Sequence, residues 1–112
     1  MDIPFHPSAQ ETSSGSSDSY TRSDMALVGL FVNVTDVQGT LPTLLVRVQH
    51  SPDGINWYNV GNISVSGIIA PGTYSAAPAA LALLADYVRV IWTIGGASPS
   101  FMFSADVVVK CT

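Results

Sequence analysis

The feature that most restricts the fold is strict two-residue alternation of apolar side chains near the C-terminus. In Tyr87–Ile94, the residues Val88, Val90, Trp92 and Ile94 share one face, and Tyr87, Arg89, Ile91 and Thr93 share the other. In Ser100–Lys110, the residues Phe101, Phe103, Ala105, Val107 and Val109 again share one face. A period of two is the repeat of a strand with one buried side and conflicts with the 3.6-residue repeat of a helix. The pattern recurs in Thr43–His50, where Leu44, Val46 and Val48 oppose Leu45, Arg47 and Gln49. Met25–Val34 is apolar and rich in β-formers, and Asn56–Val60 and Ile63–Ser66 read as short strands split by Gly61-Asn62.

Punctuation between these runs is strong. Ser51-Pro52-Asp53-Gly54 reads as a turn, because proline presets φ and glycine supplies a positive φ. Gly67 to Gly72 reads as a loop or irregular edge, and Gly95-Gly96 as a turn of the chain. Ala76–Asp86, with Pro78 near its start, fits either one or two helical turns or a crossover between sheets. Six or seven strands follow, so the predicted fold is all-β. It is a single small antiparallel β-sandwich, Greek-key or jelly-roll-like, with a small barrel as the other option. Residues 37–46 and 94–103 echo one another: strand end, glycine, proline, then an alternating strand. We read the echo as two hairpins obeying the same turn chemistry. The other reading is a duplicated hairpin across a pseudo-twofold.

Residues 1–24 differ from the rest and form an extended Ser-rich arm ahead of a domain spanning 25–112. The serines are Ser8, Ser13, Ser14, Ser16, Ser17, Ser19 and Ser23, and the apolar anchors are Ile3, Phe5 and Tyr20. A segment this polar cannot offset its own ordering entropy. The expectation is disorder in isolation, and order when a neighbouring subunit holds Ile3, Phe5 and Tyr20.

Charge excludes several functions. The chain of 112 residues is 47% hydrophobic and only 11% charged, against about 25% in an average domain. A domain this small buries about 60–65% of its unfolded surface. Apolar side chains must therefore remain outside, where partners can cover them. With a formal net charge of −4 and no basic cluster, nucleic-acid and membrane-surface binding lack their electrostatic ingredient. Cys111 is the single cysteine and reads as an incidental thiol. Met1 to His6 lacks the basic and apolar regions of a signal peptide, and the 63–94 stretch is too interrupted for a membrane helix.

Chemistry is equally sparse. His6 and His50 share no metal-ligand spacing, so no metal or other cofactor is expected, and His50 reads as a surface or capping histidine. No nucleophile elbow or carboxylate pair appears, which argues against an enzyme. Asp106 reads as solvent-facing. The one sharp motif is Ser51-Pro52-Asp53-Gly54-Ile55-Asn56-Trp57, a structural hairpin in which Ser51, Asp53 and Gly54 shape the turn and Trp57 plugs the core. Its spacing is similar to one found in discoidin-like sugar- or lipid-binding β-sandwiches. A glycan- or surface-binding module using Trp57, Tyr58 and Trp92 is the competing reading.

Residues 45–58 and 87–104 resemble a family of small tailed-phage and prophage proteins, and the resemblance covers most of 26–110. The chain departs from it at Asp86, where that family carries a basic residue. The resemblance implies a virion structural protein of β-sandwich type, most naturally a capsid cement or decoration protein. Its implied partners are the major capsid protein and copies of itself, as trimers or dimers, within a virion assembled in a bacterial cytoplasm. A neck or tail component is the alternative.

Overall fold

A computed structural model describes residues 2–21, 24–80 and 82–111. Ser23 and Leu81 lie outside the described residues, as does the side chain of Cys111. The fold is all-β and antiparallel. Its strands are β1 (Asp2–Glu11), β2 (Gly15–Ser16), β3 (Tyr20–Thr21), β4 (Met25–Ser51), β5 (Tyr58–Ile68), β6 (Gly72–Ala76), β7 (Ala82–Leu83) and β8 (Tyr87–Cys111). The central path is β1-β8-β4-β5, with β2 and β3 on β8 and β6 and β7 on β4.

The two long strands carry the architecture. β4 and β8 pair from Met25↔Cys111 to Ser51↔Tyr87, with irregular register around Gln38–Thr43. This corrects the expected turn at Gly95-Gly96, because the chain runs through those glycines as one strand. Met25–Val34 and Thr43–His50 likewise belong to a single strand, and β5 passes through Gly61-Asn62 unbroken. Each long strand bends at its Gly-x-x-Pro segment instead. Gly39 and Gly96 have φ of 113° and 114°, and Leu41 and Ser98 have φ of 50° and 47°. The echo in the sequence is therefore a pseudo-twofold, made of facing bends and not of hairpins.

At the bends the backbones touch reciprocally. A Cβ on Gly39 would lie 2.7 Å from the Ser98 carbonyl oxygen and 2.9 Å from Pro99 Cα. A Cβ on Gly96 would meet the Leu41 carbonyl oxygen and Pro42 Cα at the same two distances. Both positions need glycine twice over, for the left-handed φ and for the missing side chain.

Beyond the bends the halves of the sheet share one core, as in a β-sandwich. Leu27, Leu30 and Val32 from one half of β4 cluster with Leu44, Val46 and Val48 from the other. Phe101, Phe103, Val88 and Val90 of β8 join them, all fully buried. The alternation expected for residues 44–48, 88–94 and 101–109 is thus the burial pattern observed, with Ile94 only partly buried. Ala76–Asp86 takes the crossover option, and its described residues form no helical turn. The Leu84 N–H donates to the Met25 carbonyl at 3.0 Å, and the Ala85 N–H donates to His50 Nδ1 at 3.0 Å. These bonds tie the start of β4 to its end.

Gly39→Ala and Gly96→Ala should each cost at least about 2 kcal/mol, because strain and a backbone clash add. Gly61→Ala, at φ 52° with nothing within 4 Å of the new Cβ, should cost about 1 kcal/mol. Urea unfolding of the three variants checks the order, and equal losses at Gly39 and Gly61 would contradict the reciprocal contact.

Candidate interaction surfaces

The N-terminal segment is held by its own chain, which corrects the expectation that a neighbouring subunit must order it. β1 lines the Phe101–Val108 part of β8, while β2 and β3 line its Tyr87–Trp92 part. Ile3 is 7% exposed and belongs to the core, and Phe5 and Tyr20 pack against it. Burying one such side chain contributes about 1.5–3 kcal/mol. Pro4 and Pro7 fall within the register shifts of β1, where an edge strand tolerates a missing N–H.

The serines act as backbone partners. Ser17 Oγ accepts from the Val90 N–H at 2.9 Å, and the Ser17 N–H donates to the Val90 carbonyl at 2.8 Å. Ser14 Oγ accepts from the Ile94 N–H at 2.9 Å. Hydroxyls thus satisfy strand donors where the segment leaves regular pairing. Gly15 crosses the Trp92 indole so closely that a Cβ would lie 2.9 Å from the ring. Trp92 Nε1–H donates to the Ser13 carbonyl at 3.1 Å.

His6, which had no assigned place in the sequence, is 5% exposed at the centre of this seam. Its ring stacks on Phe103 with centroids 4.1 Å apart and meets Trp92 edge-on at 4.7 Å. Nδ1 donates to the Phe103 carbonyl at 2.9 Å, and Nε2 lies 3.1 Å from Glu11 Oε1, an ion pair when the ring is protonated. One side chain from β1 thereby binds aromatic residues from both halves of β8.

At the pole formed by the ends of β4, Ser51 and Asp53 build the turn expected of them. Ser51 is fully buried. Its Oγ accepts from the Asp53 N–H at 3.2 Å and the Gly54 N–H at 2.8 Å, and donates to Asp53 Oδ1 at 2.9 Å. Asp53 Oδ1 also accepts from the Ile55 and Asn56 N–H groups at 2.9 Å each. These bonds, that from Asn56 foremost, hold the Asp53 carboxyl well below the usual carboxylate range. Gly54 takes φ 76° with its Cα side facing the Tyr87 ring.

Trp57 does not plug the core. It is half-buried on the outer face, with the Arg89 guanidinium carbon 4.3 Å from its ring centroid. Arg89 Nε and Nη2 donate to Gln49 Oε1 at 3.1 and 2.9 Å, and Gln49 Nε2 donates to Asn59 Oδ1 at 3.0 Å. A cation over an aromatic face and a chain of amides satisfy one another across β8, β4 and β5. Of the proposed aromatic trio, Trp92 is 7% exposed, Trp57 is covered by Arg89, and Tyr58 is open.

Asp106 is half-buried on the outer face and not fully in solvent. Burial first, and then Asp2 beside it, push its carboxyl above the ordinary value. Among the described residues no group of three or more His, Cys, Asp or Glu side chains could hold a metal ion. They form no helix long and apolar enough to cross a membrane.

No family model and no curated protein sequence matches the chain. Its fold is similar to part of a chain in the structure of infectious bursal disease virus Gx strain, with a TM-score of 0.61 and 16% identity. That match covers 97% of this chain and 31% of the viral one, so the chain spans less than a third of its viral neighbour. It is similar as well to PirA, with a TM-score of 0.51 and 17% identity over 98% and 92% of the two chains. The SPBc2 prophage-derived protein YomS shares the outline more loosely, at 0.47 and 11% identity over 98% and 92%. At these identities the likeness is one of fold.

Ser51→Ala should destabilise the chain by about 1–3 kcal/mol, because two N–H donors lose their acceptor in a buried setting; chemical denaturation reads this. Burial lowers the His50 pKa from its ordinary 6.5, which keeps Nδ1 free to accept from Ala85. A depressed folded value means the unfolded chain takes up the proton first. Stability should therefore be full above pH 6.5, fall as pH drops below it, and level off once folded His50 protonates. His50→Ala should flatten that limb in thermal melts recorded from pH 7.5 to 5.

Proposed function

We propose that this chain is a non-enzymatic structural component of a phage virion, acting as a capsid cement or decoration protein. It would bind the major capsid protein and further copies of itself as a trimer or dimer. The observation that carries this reading is the placement of exposed apolar side chains at the two ends of a low-charge β-sandwich. Leu41 is 83% exposed and Ile69 65% exposed, and with Pro42 and Thr43 they line one shallow apolar hollow at the bend. Ile55 is 78% exposed on the 51–57 turn and Leu83 73% exposed on β7 near the start of β4, both at the opposite end.

Such side chains stand in water at a cost that a permanent partner removes. Two apolar ends suit a protein that bridges neighbours, where many weak contacts sum through multivalency. The fold-level likeness to part of a virus structure supports the same reading. A segment paired along both parts of β8 adds a rigid edge, so the end surfaces are presented in fixed orientation.

The test is co-sedimentation of the purified chain with undecorated capsids of the phage that encodes it. Wild type should pellet at saturating stoichiometry. Leu41→Asn with Ile69→Asp, or Ile55→Asp with Leu83→Asp, should weaken binding about tenfold or more while the fold persists, since all four side chains are exposed. Asparagine is chosen at 41 because it tolerates the left-handed φ there. Absence of wild-type binding would sink the capsid role and leave a neck or tail position as the structural reading.

A further inference from the structure

The outer face of the half that contains β6 carries a different kind of surface. Phe31, Asn33, Thr73, Ser75, Ser104 and Asp106 line a groove of about 300 Å³ across β6, β4 and β8. Register places them in two rows. Ser75, Phe31 and Asp106 lie side by side in one, and Thr73, Asn33 and Ser104 in the next. Phe31 is 44% exposed. Its ring edge reaches back over Gly29, where a Cβ would lie 3.2 Å from it. The missing side chain at 29 lets the ring lean away from the second row, and the groove opens between them.

The polar side chains here differ from those elsewhere on the surface. Gln49, Asn59 and Arg89 satisfy one another, as do Asp36 with Gln38 and Asp53 with Asn56. Among the described residues, the side chains of Asn33, Thr73, Ser75 and Ser104 form no hydrogen bond within the chain. They present an unspent row of donors and acceptors beside an open aromatic ring.

We propose that this groove binds a neutral carbohydrate one or two sugar rings long. An aromatic wall takes the apolar face of a pyranose, and a row of amide, hydroxyl and carboxylate groups takes its ring hydroxyls. The volume lies at the lower end of small-ligand sites. The charge selects against other aromatic-stacking ligands. Among the described residues Asp106 is the sole carboxylate lining the groove, with Asp2 adjacent to it, and no Lys, Arg or His side chain lines it to meet a phosphate, a sulfate or a uronic acid. A protein partner of ordinary size would cover about 800 Å² on each side, whereas this groove is two ladder rows wide and Phe31 is the one large exposed apolar side chain in its lining. This inference does not depend on the virion reading, and it uses none of the residues tested there.

Saturation-transfer NMR and titration calorimetry on the full chain test it, with cellohexaose, xylohexaose and chitohexaose as neutral probes and trigalacturonic acid as the acidic one. At least one neutral probe should bind. Phe31→Ala should weaken that binding about tenfold or more, the scale of losing an aromatic anchor. Asn33→Ala should weaken it as well, while Trp57→Ala, on the other half of the sheet, should leave it unchanged. Binding of none of the neutral probes overturns the proposal. So does neutral-probe binding that survives Phe31→Ala, or equal binding of the acidic probe.

Discussion

Everything in this fold hangs on two backbones being allowed to touch where β4 crosses β8. A strand of 25 residues would run about 80 Å if straight, yet the longest dimension of the molecule is 43 Å. The sheet has to double over, and the doubling is concentrated where Gly39 faces Ser98 and Gly96 faces Leu41. Carbonyl and Cα atoms occupy the space a side chain would need on each side. The bend is therefore a property of the pair, and neither strand could hold it alone. It brings Leu30 and Val32 against Val46 and Val48 in one cluster, which a flat ribbon of the same sequence could not do.

Doubling also creates a seam, and the N-terminal segment closes it. β8 offers a free edge in both halves, and β1 takes one while β2 and β3 take the other. His6 sits where the two meet, stacked on Phe103 from one half and edge-on to Trp92 from the other. Pro4 and Pro7 in β1 then face outward on an edge strand and blunt further pairing.

Local patterns were legible in the sequence, and long-range ones were not. Alternation at 88–94 and 101–109 named the inner face correctly because side-chain direction in a strand depends only on parity. The Ser51–Gly54 turn was legible for the same reason: its bonds span two or three residues. The glycine at 95–96 read as a turn because φ freedom is a local signal, whereas its use here is set by Leu41 and Pro42 on the other strand. The serines failed differently. Polar composition signals disorder when a segment must satisfy itself, but Ser14 and Ser17 satisfy donors 80 and 73 residues away. Trp57 was misplaced because its partner Arg89 lies across the sheet, and a cation over the ring lets the indole stay at the surface.

The outer faces separate by what their polar groups already do. On the half bearing β5, Arg89 covers Trp57 and feeds a closed chain through Gln49 to Asn59. A ligand there would have to break bonds that the protein has already made, so binding would begin at a loss. On the half bearing β6, the side chains of the row through Asn33 make no hydrogen bond within the chain among the described residues, and exchanging solvent for sugar hydroxyls is close to neutral while the Phe31 face gains cover. The pseudo-twofold relates the two halves in backbone, yet the side chains have diverged into one surface that is satisfied and one that is open. Symmetry of fold thus carries no symmetry of surface chemistry, and of the two outer faces it is the one bearing β6 that keeps its polar groups open.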